Sequence, residues 1–582
     1  MARSNRAIIC LLALTTLSTV TGHAWSTPDA IQDAYDYVII GGGTAGLTVG
    51  DRLSESGECQ TTYNITSAPS PGLNNRNFSV DVGCIVGGSS AVNGKIFQRG
   101  TARDYDIWGE LGGSDANSSW TWDNILPYFR KGIQLTPPKP EIPKPFNLTY
   151  DTQFWGHNTS NHSIFATYGN VIYPNVFTMR EALKEVPGMT LPVDGGAGQP
   201  GTMYYMFSTD PRTGARSYSR TGHWDGLNRA NYHLVTATRA NKVILEGDKA
   251  VGVRITPRGG GKNTSTIVKV NREVILSAGT IHTPQVLQLS GIGPAGLLGQ
   301  AKIPVKVDLP GVGANFQDHS FVPTVSFSWG TPPPIPAELK NISLVPDGLG
   351  NTTMGVSIGL PVVTPSNFSS IAARFADQDP AAYFPNGTHQ TIIAGYRQQQ
   401  LIYSREMRLK DFSFLRFSVK GDPTFTPVNI HPVSRGTVLI DPTNPEAEPI
   451  VDYRAASNPI DIELAIAGIR FIRQLITTGK LAQYNATELV PGSEYDTDEK
   501  LGAFVRNVSM ATTYHPVGTA AKMPREWGGV VDEELRVYGV KGLRVVDASI
   551  MPTIVAATTS MTVYAIAEKV RKKPDEFVFV KY

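Results

Sequence analysis

The sequence predicts an α/β fold made of two interleaved domains. An apolar strand at Tyr37–Ile40 runs into a glycine-rich turn that opens a helix. A second unit of the same kind, with strand, turn and helix, extends from Val274 to Ser290. Strands that alternate with helices indicate a parallel sheet. Such features recur in three stretches separated by Pro- and Asn-rich segments, so we assign 35–110, 232–320 and 506–582 to one discontinuous domain, and 111–231 and 321–505 to the other.

The turn after the first strand has the spacing G-x-G-x-x-G, from Gly41 to Gly46. In such a turn Gly41 permits the tight bend, Gly43 lets the backbone approach a pyrophosphate, and Gly46 lets the helix pack on the strand. The helix N-terminus, at Thr44 and Ala45, supplies N–H donors for the phosphates. The position after a strand and before a helix favours a Rossmann-like dinucleotide site over an ordinary glycine-rich connection.

A dinucleotide-binding unit normally continues with a second strand, which ends about 20 residues on in an Asp or Glu that binds the ribose. Here the chain continues after Glu58 with Cys59–Asn64, which contains neither an apolar run nor a terminal acid. The sequence therefore predicts that the second strand of the nucleotide fold is missing. Either the sequence is an incomplete version of a longer one, or it is a variant with weakened adenosine binding.

Composition places the chain among soluble globular proteins, with 582 residues, 41% hydrophobic and 18% charged. Residues 1–24 resemble a secretory signal peptide: Arg3 and Arg6 precede the apolar stretch Ala7–Val20, and small residues lead to a cleavage point after Ala24. A membrane anchor is the alternative, but the stretch is shorter than the roughly 20 residues of a spanning helix. Cleavage would bring the net charge close to zero, which gives no indication of nucleic-acid binding.

Acceptor sites for N-linked glycans support a secretory route, to the outside or to a vesicular or vacuolar lumen. A disulfide between Cys59 and Cys84 is possible in such a compartment. No spaced cluster of ligands predicts a metal site. The sequence N-x-S/T without an intervening Pro occurs at Asn64, Asn77, Asn117, Asn147, Asn158, Asn161, Asn263, Asn341, Asn351, Asn367, Asn386, Asn485 and Asn507.

The second domain carries two clear local patterns. Val433–Asp441 is typical of a loop that enters a strand, and a long amphipathic helix is predicted from Asp461 to Ile476. The predicted apolar face of that helix consists of Ile462, Ala465, Ile466, Ile469, Ile472 and Ile476.

Three long segments resemble the glucose-methanol-choline (GMC) family of flavoprotein oxidoreductases. They are Gly83–Gly100 with Asp104–Trp108 behind it, Gly279–Gly293, and Tyr514–Thr519 followed by Leu543–Pro552. The resemblance covers nearly the whole chain and is greatest in layout to secreted fungal members of the aryl-alcohol oxidase and patulin synthase type. It implies a Rossmann-like FAD-binding domain interleaved with a substrate domain that is built on an antiparallel sheet flanked by helices.

The resemblance also implies site residues. His515 takes the place of the family's catalytic base, which accepts the hydroxyl proton while a hydride moves from the alcohol carbon to FAD. Where many relatives carry a second His or an Asn, this chain has Thr558, which can hydrogen-bond a substrate oxygen but cannot become a cation. The implied FAD contacts are Gly41, Gly43, Thr44, Ala45, Gly46, Asn93, Gly94, Ala240, Asp547, Ala548 and Thr559.

We therefore expect an FAD-dependent enzyme that oxidises a small primary or secondary alcohol, plausible in fungal secondary metabolism, with O2 or a quinone-like compound as electron acceptor. Two alternatives stay open, the first of them because of Thr558. One is a cyclase or lyase on the same scaffold whose net reaction transfers no electrons. The other, favoured by the missing strand, is an inactive or truncated paralogue. The second domain is rich in Phe, Tyr and Pro, and this composition favours an aromatic or bulky substrate.

Overall fold

The computed structural model describes most of the chain. The described residues are 8–11, 24–25, 34–51, 62–112, 118–138, 148–156, 163–169, 171–172, 174–187, 189–227, 229, 231–257, 264–335, 337, 353–354, 356–360, 365–409, 412–419 and 423–570.

The first sheet has eight strands and carries the glycine turn at its centre. Ala34–Ile40, the strand before that turn, pairs in parallel with Thr266–Leu276, which pairs in parallel with Leu543–Val545. The first two strands end in the buried apolar runs Val38–Ile40 and Val274–Leu276, as strands covered on both faces require. Because the carboxyl ends of all three strands meet at one edge, the turns after Ile40, Leu276 and Val545 lie side by side. The full strand order is Thr238–Glu246, Lys249–Pro257, Thr266–Leu276, Ala34–Ile40, Ile8–Leu11, Tyr232–Val235 and Ala24–Trp25, with Leu543–Val545 beside Thr266–Leu276.

The place beside Ala34–Ile40, where a second nucleotide-fold strand was sought, is occupied by Ile8–Leu11. This strand runs parallel to Ala34–Ile40 on one side and to Tyr232–Val235 on the other. The chain after Glu58 lies outside the described residues as far as Thr61. Ile8–Leu11 belongs to the stretch predicted as a signal peptide, so cleavage after Ala24 would remove this strand from the sheet. When residues 1–24 are retained, Ile8–Leu11 fills this position in the sheet.

The second sheet is antiparallel and comes from the other predicted domain. Its central strands are Leu415–Val419 and Thr424–Asn429, which pair from Leu415 with Asn429 to Ser418 with Thr426. The helix Ile460–Thr477 packs on this sheet through the apolar face that the sequence predicts, and every residue of that face is buried. The sheet order is Thr487–Val490, Val325–Ser328, Thr424–Asn429, Leu415–Val419, Val356–Leu360 and Thr202–Tyr204, with Ser320–Phe321 beside Thr424–Asn429.

Helices cover both sheets. The α-helices are Thr44–Asp51, Ser89–Val92, Ala102–Glu110, Trp122–Gly132, Pro174–Leu183, Ser219–His223, Gly279–Leu289, Ala295–Gln300, Pro365–Asp377, Gln390–Glu406, Ile460–Thr477, Gly479–Ala482, Asp498–Val508 and Ser560–Lys569. Short 3-10 helices span Pro71–Leu73, Thr152–Phe154, Arg525–Trp527 and Ala548–Ile550. The smaller sheets contain Ile133–Thr136, Ile164–Tyr168 and Met206–Phe207; Ile292–Gly293 and Val307–Asp308; Val171–Ile172 and Thr353–Met354; Thr437–Leu439 and Ile450–Asp452.

The predicted mixed α/β class, with an antiparallel second layer flanked by helices, is confirmed. The predicted helix in 283–290 starts four residues earlier, at Gly279, whose N–H donates to the Asp547 carboxylate. Pro284 therefore lies inside the helix, and the carbonyl oxygen of Thr280, which Pro284 cannot bond, accepts from the Thr519 hydroxyl instead. The domain boundaries stay a prediction. Cys84 is buried, and Cys59 lies outside the described residues, so the disulfide also stays a prediction.

Candidate active site

A cavity of about 1750 Å³ lies between the two sheets. A small-molecule site typically measures roughly 300–1000 Å³, so this cavity has room for a cofactor and a substrate together. The turns at the carboxyl ends of the first sheet form one wall, which we call the backbone wall. The antiparallel sheet and the segment around Tyr205 form the opposite wall, which we call the side-chain wall.

The backbone wall depends on the absence of side chains. Gly41 has φ +110°, and a Cβ there would lie 2.3 Å from the carbonyl oxygen of Ser277. Gly88 has φ +50°, and its Cβ would lie 2.7 Å from the Cα of Gly43. Two glycine segments distant in sequence therefore touch through their backbones. The N-terminus of Thr44–Asp51 opens beside them, so N–H groups face the space where a pyrophosphate would lie.

Two polar side chains hold the backbone wall in shape. The side-chain oxygen of Asn93 accepts hydrogen bonds from the Lys95 N–H at 2.9 Å and from the Arg216 guanidinium at 2.6 Å. The carboxylate of Asp547 accepts from the Gly279 N–H at 2.9 Å and from the Thr283 hydroxyl at 2.6 Å. Asp547 is buried and ties the turn after Val545 to the helix Gly279–Leu289, so its side chain orders the wall.

Sequence-predicted site residues from distant parts of the chain line the cavity together. Gly46 lies in the first turn of Thr44–Asp51. The lining residues from that prediction are Gly41, Gly43, Thr44, Ala45, Asn93, Gly94, Ala240, His515, Asp547, Ala548, Thr558 and Thr559.

His515 is in contact with a second imidazole that the sequence did not single out. His319 Nδ1 lies 3.1 Å from His515 Nδ1, and His319 Nε2 lies 3.0 Å from the carbonyl oxygen of Val555. A carbonyl only accepts, so His319 Nε2 carries the hydrogen and its Nδ1 carries the lone pair. His515 must then donate from Nδ1, with the Thr513 hydroxyl oxygen 2.7 Å away as a second contact. This assignment leaves the lone pair of neutral His515 on Nε2.

Both imidazoles are held neutral. Burial, and to a smaller extent the nearby Arg416 cation, lowers the pKa of His515 to about 3. Burial also lowers the pKa of His319 well below its ordinary value, with His515 as a smaller cause. A protonated ring at either position would lose hydration and approach another positive group.

The backbone of His515 is fixed by Asp318. The Asp318 carboxylate accepts from the His515 N–H at 3.0 Å, the Thr512 hydroxyl at 2.6 Å and the Thr513 N–H at 3.3 Å. Burial raises the pKa of Asp318 to about 7, and these hydrogen bonds act in the opposite direction. Asp318 precedes His319, so one dipeptide holds both the main chain and the ring of His515. A motif search for a lone His would not find this pair, because it requires the fold to bring 318–319 and 512–515 together.

Thr558 lines the cavity, but its hydroxyl hydrogen is already used. The Oγ1 atom donates to the carbonyl oxygen of Ile96 at 2.9 Å. The oxygen can still accept a hydrogen bond from a substrate hydroxyl. The residue therefore offers an acceptor to the cavity, whereas an imidazole at this position would offer an exchangeable proton.

The side-chain wall was not predicted residue by residue. Arg416, Thr426 and Val428 point into the cavity from adjacent strands, and Tyr205 and Phe321 complete this part of the lining. Alternation along a strand selects which residues face the cavity, and the sequence alone does not show which face is covered by a helix.

Comparisons with known proteins agree with the fold and the cavity. Two family models, both described as GMC oxidoreductase, match residues 35–321 and 432–567. The dehydrogenase xptC of Emericella nidulans is 35% identical, with 95% of each chain covered. The alignment spans 609 positions, more than the 582 residues of this chain, so the relative has residues that this chain lacks.

Two solved structures are similar over nearly their whole length. A fungal aryl-alcohol oxidase has 32% identity and a TM-score of 0.85, covering 93% of this chain and 98% of that chain. An FAD-dependent oxidoreductase from Chaetomium thermophilum has 31% identity and a TM-score of 0.83, covering 92% and 98%. The chain belongs to the GMC oxidoreductase family, and it is an FAD-dependent oxidoreductase.

The cavity fits FAD. The glycine contacts leave room for a pyrophosphate against bare backbone, and the volume exceeds that of a single small ligand. In the described part of the chain no cluster of His, Cys, Asp and Glu is arranged to hold a metal ion. None of the described helices is long and apolar enough to cross a membrane.

Proposed function

We propose that this enzyme oxidises a primary alcohol at the carbon that carries the hydroxyl group, with His515 as the catalytic base. The observation that carries the proposal is the hydrogen-bond arrangement around His515. His319 and Thr513 engage Nδ1, so the lone pair available for a substrate proton is on Nε2. A neutral imidazole in a cavity with room for both cofactor and alcohol can accept that proton across the ordinary pH range.

Each group has one task in the proposed reaction. Gly41, Gly43 and the N-terminus of Thr44–Asp51 would hold the pyrophosphate of FAD, and Ala548 would lie beside its ring. FAD, when bound, supplies a hydride acceptor. His515 takes the hydroxyl proton, and His319 accepts from Nδ1–H and so keeps the ring in the productive tautomer. The single hydroxyl hydrogen of the alcohol can point either to Thr558 Oγ1 or to His515 Nε2, and the reaction requires the second orientation.

A non-redox cyclase or lyase is the second candidate function. Thr558 favours it, because its hydroxyl hydrogen is bound to Ile96 O and no second imidazole stands at that position. His515 would then move a proton within the substrate, with no net transfer of electrons. The two candidates share the base and differ in what happens to FAD.

Secretion, glycosylation and the electron acceptor belong to the same proposal. We propose a glycosylated enzyme of the secretory pathway that reduces O2 or a quinone-like compound. The exposed acceptor sites Asn64, Asn77, Asn386, Asn485 and Asn507 support the glycans. A signal peptide ending at Ala24 supports the route.

Anaerobic titration of the purified protein with primary aryl and alkyl alcohols tests the proposal. Bleaching of the flavin absorption band by an alcohol, with recovery when air or a quinone is admitted, is the expected result. Formation of product while the band stays unchanged would favour the cyclase or lyase. An intact flavin band and no product with any alcohol would contradict alcohol oxidation.

A further inference from the structure

A cation stands on the side-chain wall next to the proposed base. Arg416 lies on the strand Leu415–Val419, where its neighbours Leu415 and Phe417 are buried on the opposite face. Leu415 and Phe417 pack against the helix Ile460–Thr477, at Gly468 and Phe471. Alternation along the strand therefore directs Arg416 to the cavity, and its side chain is partly exposed there.

The surroundings of Arg416 form a shaped surface. Val428 lies directly opposite it on the neighbouring strand and also lines the cavity. The guanidinium carbon of Arg416 lies 5.6 Å from the centre of the Tyr205 ring. The Tyr205 hydroxyl forms a hydrogen bond with the guanidinium group. Arg416 therefore presents a planar cation beside the Tyr205 hydroxyl, and both groups line the cavity that the substrate must enter.

The positive charge of Arg416 acts on His515, the proposed base. Arg416, His319 and His515 line the same cavity, and the positive charge of Arg416 lowers the pKa of both imidazoles. A guanidinium deep in a protein costs free energy unless charge or hydrogen bonds compensate for its lost hydration. An anionic group of a substrate in this cavity would meet the Arg416 cation and the Tyr205 hydroxyl together on the side-chain wall.

We propose that Arg416 and Tyr205 bind an anionic group of the substrate, so that the preferred alcohols carry a carboxylate or an ionised phenol. This inference rests on the proposed alcohol oxidation and narrows its substrate class. A guanidinium binds a carboxylate through two parallel N–H groups, and the Tyr205 hydroxyl adds a third donor. Anchored there, the far end of the substrate presents its hydroxymethyl group to His515.

Matched substrates test the anion. We would compare 4-(hydroxymethyl)benzoate with its methyl ester, which has similar shape and no charge, and with 4-hydroxy-3-nitrobenzyl alcohol, whose phenol ionises near neutral pH. The wild-type enzyme is expected to prefer the carboxylate over the ester in kcat/KM by about 10-fold to 100-fold, the value of a charged hydrogen bond. Preference for the nitrophenol alone would identify a phenolate as the anion.

Matched variants test the residue. Arg416→Gln should reduce the carboxylate-to-ester preference by about 10-fold or more, mainly through KM, and Arg416→Lys should reduce it less, because the charge remains but the paired donors are lost. Arg470→Gln, at an exposed arginine of Ile460–Thr477, is the control and should keep the preference. If Arg416→Gln fails to fold, Tyr205→Phe replaces it, with a smaller reduction of the same ratio expected. A preference for the ester in the wild type, or an unchanged preference in Arg416→Gln or its replacement, would overturn the inference while alcohol oxidation stands.

Benzoate binding separates the inference from the proposed function. Benzoate cannot be oxidised at a hydroxymethyl group, so its binding is read from the change that it causes in the flavin spectrum. Saturable binding in the wild type that weakens in Arg416→Gln supports the anion site even if no alcohol is oxidised. Absence of saturable binding, or equal binding in both proteins, would overturn it.

Discussion

The backbone wall and the side-chain wall of the cavity are built from different materials. The backbone wall consists of turns whose glycines bring main chains into contact, as at Gly41 with Ser277 and at Gly88 with Gly43. The side-chain wall consists of an antiparallel sheet whose residues alternate between a helix-covered face and the cavity. The backbone wall offers main-chain groups that do not depend on side-chain identity, whereas a substitution on the side-chain wall changes a group that the substrate contacts. We expect the two walls to respond differently to mutation.

Adding one methyl group to the backbone wall should have the largest effect. In Gly41→Ala the new Cβ would lie 2.3 Å from Ser277 O in a backbone with φ +110°, so the turn must move. We expect loss of FAD binding and destabilisation by about 3 kcal/mol or more from overpacking and strain. The FAD content of the purified protein and its thermal unfolding provide the measurement. Gly296→Ala is the control, because its Cβ would meet nothing within 4 Å; equal FAD content in both variants would contradict a backbone wall.

Removal of the base should affect turnover and leave the cofactor in place. His515→Ala is expected to lower kcat by about 100-fold to 10 000-fold, the range of general-base catalysis, with a normal flavin spectrum. Steady-state oxidation of the best alcohol measures the effect. His389→Ala, at an exposed helix cap, controls for the loss of any imidazole. Turnover within a few-fold of wild type would remove His515 from the mechanism.

The pH profile distinguishes a desolvated base from an ordinary histidine. Because burial and Arg416 lower the pKa of His515 to about 3, titration of His515 itself leaves kcat/KM level from about pH 8 to 4.5. A histidine with the ordinary pKa of about 6.5 would lose about 100-fold over the acidic part of that range. Asp318, whose pKa burial raises to about 7, titrates in the same range, so the profile is compared with that of Asp318→Asn. An acid limb near pH 6.5 in both proteins would show that His515 is not held neutral, or is not the base.

The same pKa shift makes a prediction about stability. The unfolded chain binds a proton at His515 below about pH 6.5, whereas the folded chain does so only near pH 3. The unfolded state therefore binds more protons in this window, and the contribution of His515 to folding stability falls as the pH decreases from 6.5 towards 3. Chemical unfolding of wild type and His515→Gln over this range measures it. A wild-type protein that loses no more stability in acid than His515→Gln would contradict the shift.

Changes around the base should have the smallest effects. His319→Phe removes the acceptor for His515 Nδ1–H, and we expect about a 10-fold loss in kcat, because Thr513 remains as a second contact. His319→Gln, whose amide oxygen can accept, should recover part of the loss. Stopped-flow reduction of the flavin reports the effect on the chemical step, and a pH profile reports the tautomer. No loss in either variant would show that His319 does not position His515.

The sequence predicts the residues of the backbone wall but not those of the side-chain wall. Glycine spacing, buried strands and the long family segments predict the backbone wall, because a required main-chain geometry restricts the residue type. Arg416 and Val428 could not be predicted, since their direction depends on which face of the sheet the helix Ile460–Thr477 covers. His319 was missed because its partner is nearly 200 residues away in sequence, at His515.

The N-terminal segment shows a conflict between local pattern and fold. Arg3, Arg6 and the apolar run after them are typical of a signal peptide, yet Ile8–Leu11 completes the first sheet. Four apolar residues suit both a signal sequence and a strand that is buried on both faces, so the pattern cannot choose between the two roles. The intact mass of the mature protein distinguishes retention of Ile8–Leu11 from its removal.

The FAD content of the purified protein tests most directly whether the nucleotide fold, with the second strand that the sequence predicts to be missing, makes a working cofactor site. We expect about one FAD per chain from the ratio of flavin to protein absorbance, released on denaturation or retained if covalently attached. A colourless protein that takes up no FAD when the cofactor is added would contradict both the backbone wall as a cofactor site and the oxidation proposed beside His515.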